Sequence, residues 1–360
     1  MRIALLGTRG IPANYGGFET FAEELATRLV ARGHSVTVYC RARYNGPSYR
    51  GVDLHYLPTI RHKYFDTLAH TAISTLDLMR HRYDAVLYCN AANAVFALLP
   101  RMVGMPTALN VDGLERHRKK WNALAKTWYL LSEWLSTWCP STVVTDAKQI
   151  EEYYLERYGK SSTFIAYGAE TTKEVNTDTL RELGLRPQHY VLYVSRMEPE
   201  NNALLVRQAF EKVDTEMQLA IIGDAPYAAE YIRQVKTTTD PRIIIPGAIY
   251  GTGYHQLQAH CFAYVHATEV GGTHPALVEA MGHAALVLYL DNPENREVAG
   301  DAGIPFTVDT LQERLQWAVS LSCRERQEWG QKAQARAKER YSWEAVTTAY
   351  ETLFAGLQSK

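Results

Sequence analysis

The sequence has no CxxC pair, no excess of charge of either sign and no apolar run approaching the ~18 residues that a membrane-spanning helix needs. Each absence excludes a class. The five scattered cysteines, Cys40, Cys89, Cys139, Cys261 and Cys323, offer neither a disulfide framework nor zinc-ligand spacing, so reduced core thiols are expected and a metal site is not. Lys plus Arg number 38 against 39 for Asp plus Glu, a net charge of −1, which argues against a dedicated nucleic-acid binder. The opening MRIALLGTRG has too short an apolar run for a signal-peptide core. A cytoplasmic protein is expected. What is present is globular in composition: 46% hydrophobic and 21% charged residues over 360 positions. That length suggests about two domains.

Short apolar runs alternate with segments of helical period. Ile3–Leu6, Val36–Tyr39, Ala85–Tyr88 and Thr142–Thr145 form one series; Tyr190–Val194, Leu219–Ile222, Ile243–Ile245, Ala263–Val265 and Leu286–Tyr289 form a second. Uniformly apolar strands between amphipathic helices predict α/β units with parallel sheets covered on both faces. The polar stretch from Gly168 to Asn176 separates the series. The expected division is a first domain over 1–170, a second over 171–341 and a final helix over 342–360, opened by Ser342 as N-cap with Val346, Ala349, Tyr350 and Leu353 on one face.

Several stretches carry candidate chemistry. Gly271-Gly272-Thr273-His274-Pro275 precedes a helix whose Pro275 suits its first turn, so the backbone amides there face a phosphate-sized anion. Glu279 lies one turn further in. It can accept both hydroxyls of a ribose, or simply be a solvated helix carboxylate. Arg196 follows a strand and can clamp a diphosphate, the plainer alternative being an ion pair with Glu198 or Glu200. Near the N-terminus, the glycines of Gly7-Thr8-Arg9-Gly10 and Gly16-Gly17 allow close approach of a ligand to backbone, or serve a tight turn. Asp112, in Asn110-Val111-Asp112-Gly113, can position a sugar hydroxyl or act as a base, or form an Asp-Gly turn. Beyond it the basic run from Arg116 to Lys120 adjoins Trp121, Trp128, Trp134 and Trp138. Such a segment can lie on an anionic membrane or grip an acidic acceptor, although tryptophans at helical spacing more often belong to a core.

Taken in order, Gly16-Gly17, Arg196, Gly223-Asp224, Pro246-Gly247-Ala248-Ile249 and Glu279-Ala280-Met281 resemble the retaining GT-B glycosyltransferases of family four, over nearly the whole chain. The GGTHPALVEAM and SRMEPENN stretches look most like the bacterial rhamnosyltransferase-type members, which build surface polysaccharides. The resemblance implies two Rossmann-like doubly wound parallel-sheet domains facing across a cleft, the first for the acceptor and the second for a nucleotide-sugar donor, dTDP- or UDP-linked. It implies transfer of L-rhamnose or a hexose with retention, without metal or cofactor, to a carbohydrate or lipid-linked acceptor, with peripheral contact at the inner membrane face.

The same resemblance assigns Arg196 to the donor diphosphate, Glu279 to the ribose, and Gly271, Gly272 and Thr273 to the phosphates or sugar. Gly247 and Ile249 would flank the base, Gly16 and Gly17 would approach the donor, and Asp112 would sit near the acceptor. Two positions depart from the family pattern. The first acid of Glu-x7-Glu is replaced by Gly271, with Glu269 out of register, and the lysine five residues after the arginine is Asn201, which would have to serve the donor in its place. Loss of that cation leaves the diphosphate less neutralised, unless a group such as Arg9 compensates. Two other readings fit the same residues: a nucleotide-sugar epimerase of this architecture, and a non-catalytic nucleotide-sugar-binding subunit.

Overall fold

In the computed structural model, which describes residues 1–13, 16–60, 65–111, 113–117, 122–171, 175–225 and 227–358, the apolar runs become two separate sheets. The chain divides into two units, Met1–Tyr167 with Trp343–Lys360, and Gly168–Ser342.

The first unit holds β1 Arg2–Leu6, β2 Ser35–Cys40, β3 Ser48–Tyr49, β4 Val52–Tyr56, β5 Ala85–Cys89, β6 Thr107–Asn110, β7 Thr142–Thr145 and β8 Thr163–Phe164. Their order is β3-β4-β2-β1-β5-β6-β7-β8, parallel except for the β3/β4 pair. Because side chains alternate along a strand, Ile3 and Leu5 enter one core and Ala4 and Leu6 the other. The first core takes Phe21, Leu25 and Leu29 from the helix Gly17–Ala31, together with Tyr350 and Phe354 from the terminal helix Trp343–Gln358. The second takes Leu78, Ile150 and Tyr154. Tyr350 also receives a hydrogen bond from the Asn110 amide at 2.9 Å, at the end of β6.

The second unit holds β9 Tyr190–Val194, β10 Gln218–Ile222, β11 Ile243–Gly247, β12 Ala263–His266, β13 Leu286–Leu290 and β14 Ile304–Phe306, all parallel, in the order β11-β10-β9-β12-β13-β14. Numbered within the unit this is 3-2-1-4-5-6. The connections leave to opposite sides at the boundary between β9 and β12, and open α/β sheets bind ligands outside the carboxyl ends of the strands at such a boundary. Four cysteines are buried and Cys323 is exposed; all five thiols are free.

Candidate functional site

The loops that leave β9 and β12 carry Arg196 and Gly271, so the sheet order sets them side by side. Hydrogen bonds then tie them together. The Glu269 N–H donates to the Glu200 carbonyl at 2.9 Å. Asn202, held in the left-handed region at φ 61°, donates its amide to Ala267 O at 2.9 Å and to the Glu269 carboxylate at 3.0 Å.

Within this pair of loops Arg196 is 32% exposed, and its Nε stands 3.9 Å from Glu198 Oε2, a loose pairing that leaves the guanidinium reachable. Asn201 behaves differently. It is buried, with its amide donating to Arg196 O at 2.6 Å and its own carbonyl accepting the Tyr193 hydroxyl at 2.6 Å. One N–H of the Asn201 amide is thus engaged by the backbone of its own loop, and, unlike a lysine, this side chain brings no charge to the site. Glu269, bonded to Asn202, likewise braces the two loops. Glu200 is fully buried, and its carboxylate makes no hydrogen bond among the described residues.

Gly271, Gly272 and Thr273 are all buried. Among the described residues the backbone N–H groups of Gly271 and Gly272 donate to nothing. Buried amides without acceptors are costly, and here they stand just before the positive end of the helix Pro275–Gly282, with Pro275 in its first turn. An anion satisfies both conditions. A Cβ added to Gly271 would lie 2.3 Å from Cε1 of His274, so the imidazole occupies the space where a side chain at 271 would begin. That ring also packs against buried His266 at 4.7 Å between centroids. Burial lowers the pKa of His266 to about 3, so it stays neutral.

Glu279 is not a solvated helix carboxylate. It is buried, and its Oε2 accepts the hydroxyl of Tyr254, which in turn accepts from the Gln258 amide at 2.7 Å. Tyr254 lies on the helix Gly251–His260, immediately after the Gly247–Tyr250 loop. Gly247, at φ 102°, has open space on the side where a Cβ would stand, and Ile249 packs on Gly253. One element therefore joins the Gly247–Tyr250 loop to Glu279. Sequence reading missed Tyr254, since nothing local links it to a residue 25 positions away.

Gly16 and Gly17 belong to the first unit, beyond the end of β1. Gly7 and Gly10 have φ of 93° and 104°, as the tight-turn reading requires, whereas Gly16 is extended at φ −165°. Two acids of the following helix hold this loop: Glu19 accepts the Arg9 N–H at 2.8 Å, and Glu23 accepts the Ala13 N–H at 2.6 Å. Burial raises the pKa of Glu19, against the lowering effect of that amide and of Arg41 and Arg9. Asp112, Arg118, Lys119, Lys120 and Trp121 lie outside the described residues. Arg116 is committed to buried Glu133, at 2.9 Å, rather than offered to an anion.

The sequence of the second unit matches a family model over residues 188–320, that of glycosyl transferases group 1. Over those residues the chain is similar to the group 1 glycosyl transferases. Residues 1–170 match the model of a domain of unknown function, DUF1972. A curated relative is N-acetylgalactosamine-N,N'-diacetylbacillosaminyl-diphospho-undecaprenol 4-alpha-N-acetylgalactosaminyltransferase of Campylobacter jejuni, 24% identical over 181 residues. That match spans 48% of this chain and 48%, about half, of the relative's length. Among solved structures, sucrose-phosphate synthase of Thermosynechococcus elongatus superposes with a TM-score of 0.81 at 18% identity, covering 99% of each chain. HepE of Anabaena, in complex with UDP and glucose, superposes at 0.80 and 16% identity, covering 99% of this chain and 100% of its own. These structures share the fold: two parallel-sheet Rossmann-like domains.

Proposed function

We propose that the protein is a retaining, metal-independent glycosyltransferase that moves L-rhamnose from dTDP-rhamnose, or a hexose from a UDP-sugar, onto a lipid-linked or oligosaccharide acceptor in surface-polysaccharide assembly. It would act in the cytoplasm, with peripheral contact at the inner membrane face. The observation that carries this is the pair of buried, unsatisfied amides at Gly271 and Gly272, before the helix that bears Glu279 and beside the loop that bears Arg196. Arg196 and these two amides, on adjoining loops, are the kinds of group that hold a diphosphate. The relative that works on a diphospho-undecaprenol substrate supports the lipid-linked acceptor. The structure solved with UDP and glucose supports the class of donor.

In this reading the bond from the sugar C1 to the donor's phosphate oxygen breaks, and a bond from the acceptor oxygen to C1 forms on the same face. The acceptor's proton passes to the departing phosphate oxygen, releasing the nucleoside diphosphate. Arg196 and the loop amides stabilise the charge that grows on this leaving group, because fixed donors aimed at developing charge need no reorganisation during reaction. Glu279, held by Tyr254, binds the ribose hydroxyls and fixes register. Asp112 would sit near the acceptor hydroxyl.

The test is a thermal-shift screen with UDP, dTDP, GDP and ADP and their sugars, followed by transfer to lipid-linked acceptors. A nucleotide at 100 times its Kd adds about 2.7 kcal/mol of stability. Stabilisation by one base and transfer from its sugar are expected; no stabilisation by any nucleotide would overturn the reading. The loss of the lysine cation, with Asn201 turned inward, favours one competitor, a subunit that binds donor without transferring it. Binding without transfer to any acceptor extract would select it. A new sugar nucleotide formed from donor alone would instead identify an epimerase.

A further inference from the structure

The loop with the unspent amides of Gly271 and Gly272 carries one imidazole, that of His274, at the position just before the helix Pro275–Gly282. A residue there usually turns its side chain back to cap the helix. His274, at φ −81° and ψ 113°, makes no such cap bond among the described residues. Its ring turns to Gly271 instead. A Cβ at 271 would lie 2.3 Å from Cε1, 2.9 Å from Nε2 and 3.1 Å from Nδ1, so the imidazole stands beside the backbone whose N–H is unspent. Glycine at 271 keeps that space clear.

The ring is also supported. It packs on His266 of β12 at 4.7 Å between centroids, and His266 stacks on Tyr264, 6.2 Å away. Two imidazoles in contact do not both ionise readily, since like charges oppose each other. Burial settles which one does: it holds the pKa of His266 at about 3 and pushes the Tyr264 hydroxyl well up, so neither competes near neutral pH. The acids around the loop have partners of their own: Glu269 has Asn202, Glu279 has Tyr254 and Glu198 has Arg196. Glu200, on the loop of Arg196, is fully buried, and Glu294 lies on the helix Pro293–Ala299, whose Asn295 donates to Thr268 O at 3.0 Å. A proton taken up here with a ligand therefore falls to His274.

Charge says why the site needs one. A diphosphate has a negative charge on each phosphate, and the loop after β9 offers Arg196 alone, loosely paired with Glu198, because Asn201 brings none. The loop amides and the helix end supply partial charges only. An imidazolium beside Gly271 makes up the difference, with an N–H donor on each ring nitrogen.

We infer that His274 binds the donor's diphosphate as an imidazolium, so that binding takes up a proton. This rests on the donor reading of the site and adds to it a residue and a pH dependence. A diphosphate esterified at both ends lacks the second ionisation of a terminal phosphate, at about pH 6, so a proton taken up with a sugar nucleotide is the protein's.

The full chain is titrated calorimetrically with UDP-glucose, UDP-N-acetylglucosamine and dTDP-rhamnose at pH 6, 7 and 8, each in two buffers of different ionisation enthalpy. The wild type should take up a proton with the sugar nucleotide it binds and lose about tenfold in affinity from pH 6 to pH 8. His274→Gln should abolish the uptake and bind at every pH about as the wild type does at pH 8, with an unchanged melting temperature at that pH. His266→Gln should keep both the uptake and the pH dependence, because that imidazole stays neutral. Binding by the wild type without proton uptake, uptake that persists in His274→Gln, or uptake lost only in His266→Gln would overturn the inference and leave the donor site standing. Binding of none of the three at any pH would instead remove the donor reading, and this inference with it.

Discussion

His70 and His266 are fully buried or nearly so, and burial holds both neutral: the pKa falls to about 4 for His70, with Arg41 adding to the effect, and to about 3 for His266. Below about pH 6.5 the unfolded chain protonates these imidazoles while the folded chain does not, so the unfolded state binds more protons and stability is lost as the pH is lowered. Each contributes about 1.4 kcal/mol per pH unit until its folded pKa is reached. Glu19 acts in the opposite sense. Its raised pKa gives a contribution that is present at low pH and lost as pH rises through the folded value. Urea melts at pH 7.5 and 5 should therefore show a net loss on acidification, smaller by about 2 kcal/mol in His266→Gln; an unchanged pH dependence in that variant would contradict the neutral imidazole. Arg196→Ala should lower transfer by about 10²- to 10³-fold, with little change in stability because the side chain is partly exposed. A loss within tenfold would remove Arg196 from the leaving-group role. Arg196, Glu279 and the glycines were legible in sequence because each stands at a fixed offset from a strand end. Tyr254 and the Glu133 network were not, since they exist only once distant helices pack.

At the scale of elements, the loop before the helix Pro275–Gly282 depends on shape as much as on charge. Gly271→Ala places a methyl in the volume of the His274 ring and should weaken nucleotide binding by about tenfold, with partial rescue by adding His274→Ala. Calorimetric titration of the single and double variants checks this. No loss in Gly271→Ala would mean that the ring moves freely and that the loop is not shaped as described. The strands read from sequence are the uniformly apolar ones, the edge strand β11 among them. Outside the two series stand the two-residue β3 and β8, the short β6, β4, where Asp53 and His55 interrupt the apolar pattern, and β14, a short edge strand containing Pro305. The helix Ala123–Ser136 reversed the usual inference from tryptophan spacing: Trp134 is exposed, and Glu133, bonded to Arg116, Tyr153 and Tyr158, is buried. Periodicity finds the face, and only the partners of Glu133 decide which face turns inward.

At the scale of the molecule, two parallel sheets were legible because the strand–helix alternation starts twice. The restart also gives each sheet its own boundary where connections diverge, and the one between β9 and β12 brings Arg196 and Gly271 together from 75 positions apart. Strand order, unlike strand identity, is a property of pairing and cannot be read from apolar runs alone. Nucleotide binding there should rigidify several segments distant in sequence at once, which a local contact would not do. Amide hydrogen exchange with and without the nucleotide that most stabilises the chain is the most direct measurement. Slowed exchange across 195–202, 247–254 and 271–279 together is expected. Stabilisation by the nucleotide with exchange unchanged in those three segments, and slowed elsewhere, would contradict a diphosphate site at the β9/β12 boundary.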